Sequence, residues 1–166
     1  MTQPTNRNSL ATVSDYARQS VDSICGPIDE WLEENRQVLV GIRRHMHMHP
    51  EPSGQERETT EYLAGRLGEV GLQPRVLRDG LGLIVDATIG TPAPDAPRVA
   101  MRADIDALKI QDAKSVEYRS CRDGVMHACG HDVHSAIVAG VALAVAGRSA
   151  AGAQCKPAKN GGLRLV

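Results

Sequence analysis

The sequence has very few aromatic residues and no hydrophobic stretch long enough to cross a membrane. Aromatic side chains make up 2% of the 166 residues, with no Phe and one Trp, so a core must be built from Leu, Val, Ile and Ala. The apolar segment from Ile137 to Gly147 is too short for a transmembrane helix. With 42% apolar and 23% charged residues, the composition predicts a light but packed globular core and no membrane partner.

The sequence also lacks an excess of charge of either sign. Its 19 basic and 20 acidic residues give a net charge of -1, which provides no field to attract nucleic acid or anionic lipid. Its four cysteines lie at irregular spacings with no secretory signal before them, a pattern typical of reduced thiols inside a cell. We therefore expect a cytoplasmic protein whose partners are small neutral or anionic molecules.

The hydrophobic pattern predicts two helices, then strands, then a further helix, which is an α/β order. Helical spacing predicts a long amphipathic helix from Pro27 to the prolines after His49. The S-x-x-E sequence that starts at Ser53 predicts a capping box for a second helix, closed by Gly71. The predicted strands are 73–77, 81–89 and 98–105, followed by a small-residue helix over 135–147. Residues 1–13 lack periodicity and are predicted to be a mobile arm.

The most informative stretch, residues 126–134, concentrates metal-binding side chains just before the last predicted helix. Cys129 and His131 form a C-x-H pair across a glycine, which lets a thiolate and an imidazole approach one borderline-soft divalent ion. Asp104 and Asp106 lie two residues apart near the end of the third predicted strand. Alternate strand residues share a face, so we expect both carboxylates to approach the same ion or imidazole. The four residues together predict a metal site.

Other histidines leave alternatives open. His127 and His134 flank the C-x-H pair, and each could be a ligand, a hydrogen-bond partner of a ligand, or an ordinary structural histidine. The alternating sequence His45-Met46-His47-Met48-His49 suggests a second metal site. Successive helix residues are about 100° apart, so alternate histidines diverge on a helix. We therefore favour hydrogen-bonded structural histidines there.

Three motifs, in order, resemble the N-terminal part of the co-catalytic metallo-amidohydrolases, a family that includes hippurate hydrolase, N-acyl-amino-acid hydrolases and auxin-conjugate amidohydrolases. The motifs are RRHMHMHPE at 43–51, MRADIDAL at 101–108 and GVMHACGHDVH at 124–134. The resemblance implies a three-layer α/β/α sandwich of the co-catalytic metallopeptidase type. It also implies hydrolysis of the amide bond of a small N-acyl amino acid or similar conjugate.

The resemblance also implies roles for particular residues. Cys129 and His131 would bind a pair of divalent ions, either Zn, Mn, Co or Ni, while Asp106 would orient or tune the site with Asp104 beside it. Lys109 departs from the proline usual in the family, but it removes no ligand.

The resemblance covers only the beginning of such an enzyme. Family members continue into a glutamate pair that supplies the general base and a ligand, into further histidines, and into a lid and dimerisation domain that often makes them homo-oligomers. We expect residues 14–147 to be the N-terminal part of the catalytic domain, and residues 148–166 to be an atypical tail that ends in a strand. On this interpretation the chain is truncated, lacks the base and is close to inactive alone.

Two other classes of protein compete with this interpretation. A non-catalytic metal-binding or interaction module would use Cys129, His131 and His134 in a structural zinc site. A thiol redox protein would depend on Cys129, but the sequence has no C-x-x-C pair near it.

Overall fold

The computed structural model describes residues 26–88, 98–150 and 162–165 of the chain, with side chains described for 26–88 and 98–147. The elements follow the predicted order of helices, strands, helix and strand. They are α1 (Arg36–Met48), α2 (Arg57–Gly68), β1 (Arg75–Val76), β2 (Leu83–Thr88), β3 (Arg98–Met101), α3 (His131–Ala150) and β4 (Gly162–Leu165). The predicted arm over residues 1–13 and most of the predicted tail lie outside the described residues.

The first predicted helix is interrupted. Residues 26–34 are helical, a turn falls at Asn35, and α1 then runs to Met48 just before Pro50. The Asn35 side chain donates a hydrogen bond from Nδ2 to the backbone oxygen of Trp31 at 2.8 Å. Asparagine side chains compete with the helix for backbone partners in this way, so the prediction of one continuous helix was wrong. The end ahead of Pro50 is confirmed.

The start of α2 is capped differently from the prediction. Glu56 occupies the N-cap position without a side-chain cap, so Ser53 and Glu56 do not form a capping box. Instead, the buried carboxylate of Glu51 accepts backbone N–H groups from Glu58 at 3.3 Å and Thr59 at 2.7 Å. A carboxylate there satisfies N–H groups that have no partner within the helix and complements the positive end of the helix dipole.

The strands form one sheet in the order β1-β2-β4-β3. Strand β4 lies between β2, to which it is antiparallel, and β3, to which it is parallel. The predicted strand at the end of the chain is therefore confirmed for Gly162–Leu165. Strand β3 ends at Met101, four residues before the predicted end, and this moves Asp104 and Asp106 off the strand.

Helix α3 packs its small residues against the rest of the core. Ala136, Ala139, Ala142 and Leu143 are buried in the same cluster as residues of α1, α2 and β2. Gly147 faces Trp31, where an added Cβ would lie only 2.6 Å from the indole nitrogen. The helix starts at His131 and continues to Ala150, so both ends of the predicted 135–147 helix were wrong.

Among these described elements, no helix is both long enough and apolar enough to span a membrane.

Candidate metal centre

A loop that leaves β3 brings Asp106 to the first residue of α3. The Nδ1 atom of His131 lies 2.8 Å from Asp106 Oδ1 and 3.0 Å from the Asp106 backbone oxygen. Both oxygens are acceptors, so Nδ1 carries the proton and donates it to them. The second ring nitrogen, Nε2, then has its lone pair available. Metal-binding histidines are held in this way by carboxylates, which fix the tautomer and the ring orientation.

Cys129 lies two residues before His131, across the predicted glycine turn. Gly130 has a φ of 83°, a conformation that glycine adopts at little cost, and its carbonyl oxygen accepts N–H groups from Val133 and His134 as α3 begins. The Cys129 thiol is exposed and free. Within residues 26–88 and 98–147, no group of three or more His, Cys, Asp or Glu side chains is arranged to hold a metal ion. The meeting of Asp106 with His131 is observed, while the approach of Cys129 to them stays a prediction.

Asp104 is placed differently from the prediction. Because β3 has already ended, the alternation of strand side chains does not apply to it, and its carboxylate pairs with Arg102 at 2.6 Å on the surface. It nevertheless lines the same cleft as Asp106 and His131. The prediction that Asp104 and Asp106 share one face of a strand was therefore wrong, although both side chains line the same cleft.

The cleft that contains these side chains is open, with a volume of about 560 Å³, and is lined by both charged and apolar side chains. Its walls come from the loop after β3, the start of α3, and the segments that precede α2 and β2. The lining residues are Ser53, Glu56, Leu77, Leu81, Gly82, Arg102, Ala103, Asp104, Ile105, Asp106 and His131. Of its three carboxylates, Asp104 is paired with Arg102, Asp106 with His131, and Glu56 accepts the Gly54 N–H.

A buried charge network that the sequence analysis missed fixes the next residue of α3. Asp132 is 1% exposed, and its Oδ2 accepts a hydrogen bond from His47 Nδ1 at 2.7 Å. Arg43 Nε lies 2.8 Å from the same oxygen, close enough for an ion pair, although the direction of its N–H does not make a hydrogen bond. The only sequence signal was the spacing of Arg43 and His47, four residues apart on one helix face.

A second buried carboxylate, Asp112, lies on the other side of His47. Its Oδ2 is 3.6 Å from His47 Nε2. The carboxylate accepts the backbone N–H of Lys114 at Oδ1 and that of Ser120 at Oδ2. Burial opposes ionisation of this carboxyl, but these bonds and the Lys114 ammonium outweigh it and hold the pKa of Asp112 well below its usual value. Asp112 therefore fastens the loop that follows it next to α1.

The alternating histidines of α1 diverge, as predicted. His47 points inward to Asp132, whereas the ring of His45 stacks on Tyr62 with centroids 3.7 Å apart. The three histidines from 45 to 49 therefore do not share one metal site.

His127 is a buried histidine without a hydrogen-bond partner among the described residues for either ring nitrogen. Burial lowers the pKa of His127, so the ring is neutral at pH 7. An unpartnered buried imidazole is unusual, and this one lies 6.4 Å from the His47 ring between centroids. Borderline divalent metals favour nitrogen and sulfur ligands. The ligand atoms of this kind are the unpartnered ring nitrogens of His127, the free Nε2 of His131 and the Cys129 thiol. The described residues therefore offer ligand types that suit a divalent metal, but no three of them come together in one group.

Comparison with known proteins supports the same interpretation. The model of peptidase family M20/M25/M40 matches residues 100–158. The chain is 42% identical over 123 residues to a putative amidohydrolase, YhaA, of Bacillus subtilis, covering 74% of this chain and 30% of that protein. It is 43% identical over 105 residues to the N-acetyl-L-cysteine deacetylase of the same organism, covering 63% of this chain and 24% of that protein.

A solved structure agrees with these sequence matches. The YXEP protein of Bacillus subtilis, described as a dinuclear metal binding peptidase from the M20 family, superposes with a TM-score of 0.68 and 35% identity, covering 80% of this chain and 34% of that one. The resemblance to peptidase family M20/M25/M40 is therefore shown over the matched residues. The family and the α/β fold predicted from the motifs are thus confirmed. The chain spans less than a third of the length of the two curated relatives named above.

Proposed function

We propose that this chain forms part of the active site of a metal-dependent amidohydrolase that cleaves the amide bond of N-acyl amino acids or similar small conjugates. The observation that carries the proposal is the Asp106 to His131 hydrogen bond, which leaves Nε2 of His131 available beside an open cleft. The M20 relatives that are named as an amidohydrolase and as a deacetylase support the reaction class.

Each residue of the centre has a distinct role in this proposal. His131 and Cys129 bind divalent ions, a pair of Zn, Mn, Co or Ni, and Asp106 keeps the His131 ring in the tautomer that binds metal. Asp104 supports the rim of the cleft through its pair with Arg102. Divalent ions bound there would polarise the acyl carbonyl and lower the pKa of water.

The general base of the reaction comes from outside the described residues. Each of the three carboxylates of the cleft already has one partner in the structure, and we assign none of them as the base. Loss of a general base costs a factor of roughly a hundred to ten thousand in rate. We therefore propose that the 166-residue chain alone is close to inactive towards N-acyl amino acids.

Metal titration tests the proposed centre independently of turnover. Titration of the chain with Zn²⁺ or Mn²⁺ should show binding that Asp106→Asn weakens roughly ten- to a hundredfold, because the His131 ring loses its orienting carboxylate. Cys129→Ser should weaken binding as well. Cys121→Ser is the matched control, because Cys121 is also an exposed free cysteine but lies outside the centre, and it should change nothing. Equal affinities for the Cys129→Ser and Cys121→Ser variants would contradict the ligand assignment.

Turnover is tested separately with a panel of N-acetyl amino acids. The expected result is hydrolysis at background level by the isolated chain, with or without added metal. Robust hydrolysis that a chelator abolishes would show that the chain supplies its own base.

The non-catalytic metal-binding module requires a closed set of ligands, usually four. Since no three potential ligands come together in the described part of the chain, no observation favours that alternative.

A further inference from the structure

A second pair of histidines lies at the C-terminal end of α1, outside the candidate metal centre. His45 lies in the last turn of α1 and His49 is the residue that caps it, and their ring centroids are 4.7 Å apart. His47, between them in sequence, points to Asp132 instead. The relevant spacing in this histidine-rich segment is therefore H-x-x-x-H.

The geometry of the pair fits chelation of one ion. A metal–nitrogen bond of about 2.0 to 2.1 Å places an ion roughly 3.2 Å from the centre of an imidazole ring. Two ring centres separated by 4.7 Å then subtend an angle of about 95° at a common ion. That angle is close to the one between adjacent ligands in square-planar and octahedral sites.

The surroundings of the pair also favour a cation. His45 and His49 line a cleft of about 230 Å³ together with Met46, Glu58 and Thr59. The cleft lies where α1 ends, and the C-terminus of a helix carries partial negative charge. The carboxylate of Glu58 adds negative charge, although it is already paired with Arg122 at 2.7 Å.

We propose that His45 and His49 chelate a divalent transition-metal ion such as Zn²⁺ or Ni²⁺, with water completing the coordination. The site is preorganised on both sides. The ring of His45 is stacked on Tyr62, and the backbone N–H of His49 donates to the His45 carbonyl oxygen at 3.0 Å. Two protein ligands are consistent with the absence of a three-donor group among the described residues.

The protonation state of His45 agrees with this assignment. Partial burial, reinforced by the nearby His49, lowers the pKa of His45. The ring is therefore neutral at pH 7, which is the form that binds metal.

The test is titration of the intact chain with Zn²⁺ alone, followed by NMR correlations of the histidine ring nitrogens. The ring nitrogens of both His45 and His49 should shift together, with one common zinc dependence. Either His45→Gln or His49→Gln should weaken this binding roughly a hundredfold, because two linked ligands bind far more tightly than one. Glu58→Gln should change the affinity by only a few fold, since Glu58 is not a ligand. Each variant is compared with wild type by far-UV circular dichroism to verify its fold.

Cys129→Ser is the control that separates this site from the proposed active site. It should leave the shifts of His45 and His49 intact, because the two sites share no residue. Zinc binding that leaves both rings unshifted, or an affinity that is unchanged in His45→Gln, would overturn the proposal without affecting the proposed amidohydrolase centre. Zinc shifts at His45 and His49 that disappear in Cys129→Ser would also overturn it.

Discussion

The buried contact of Asp132 with His47 and Arg43 gives the sharpest prediction for stability. Asp132 and His47 side chains are each 1% exposed, whereas Arg43 retains 28% exposure. Replacing Asp132 with Asn removes the charge that faces both partners while keeping the size of the side chain. The buried partners then lose the group that compensates their desolvation.

The magnitude follows from these exposures. Breaking a buried ion pair by removing one partner costs roughly 3 to 5 kcal/mol. Arg43 can regain water through its exposed part, and an amide oxygen can still accept from His47, so we expect a loss of about 2 to 3 kcal/mol in the free energy of unfolding. That is a large part of the roughly 5 to 15 kcal/mol that a small domain typically has.

Urea unfolding followed by circular dichroism measures this loss. With a slope of about 1 to 3 kcal/mol/M, the midpoint of Asp132→Asn should fall by roughly 0.7 to 3 M while the slope stays unchanged. Asp123→Asn is the matched control, because Asp123 is exposed, and it should stay within about 0.5 kcal/mol of wild type. A double-mutant cycle with His47→Gln should show a coupling of roughly 0.5 to 3 kcal/mol. If Asp132→Asn unfolds at the same urea concentration as Asp123→Asn, the buried network does not stabilise the fold.

Three further predictions concern helix packing, helix capping and acid. In Gly65→Ala of α2, the added Cβ meets no atom within 4 Å, so this variant should be more stable than wild type by roughly 0.5 to 1 kcal/mol. In Gly147→Ala, the added Cβ meets the Trp31 ring, so this variant should be less stable by about 1 to 3 kcal/mol. Thermal unfolding that ranks the two variants in the opposite order would contradict the packing. Glu51→Gln should cost about 1 kcal/mol in urea unfolding, because a neutral amide caps the first turn of α2 less well. Because the pKa of Asp112 is lowered from its ordinary value of 3.8, the ionised carboxylate should stabilise the folded protein at pH values above 3.8. This stability should disappear as the pH falls below 3.8. In Asp112→Asn, the decline in the free energy of unfolding between about pH 5 and pH 2 should therefore be smaller than in wild type.

The meeting of Asp106 and His131 could be predicted because it rests on local chemistry. A carboxylate after a strand and an imidazole at the start of a helix are each recognisable from a few neighbouring residues. The family resemblance then predicted that Asp106 and His131 belong to the same metal site. The early end of β3 could not be predicted in this way. Residues 102–105 are as compatible with a strand as the residues before them, and the register of β3 on β4, which pairs Met101 with Leu165, cannot be read from these residues.

The network around Asp132 was missed for a related reason. His47 and Asp132 are 85 residues apart, and nothing local to either residue indicates the other. The break at Asn35 has a local cause, the bond of its side chain to the Trp31 carbonyl. Asparagine also occurs within unbroken helices, however, so its presence in a helical pattern does not by itself predict a break.

His131 and Asp132 show how the two kinds of contact combine. They are consecutive residues in the first turn of α3, so their side chains leave the helix about 100° apart. One bonds Asp106 at the cleft, while the other bonds His47 in the core. Ser135, one turn later, donates from Oγ to the Asp104 backbone oxygen at 3.0 Å. The start of α3 is thus held to α1 on one side and to the loop after β3 on the other, so the position of His131 depends on a buried ion pair that lies outside the cleft.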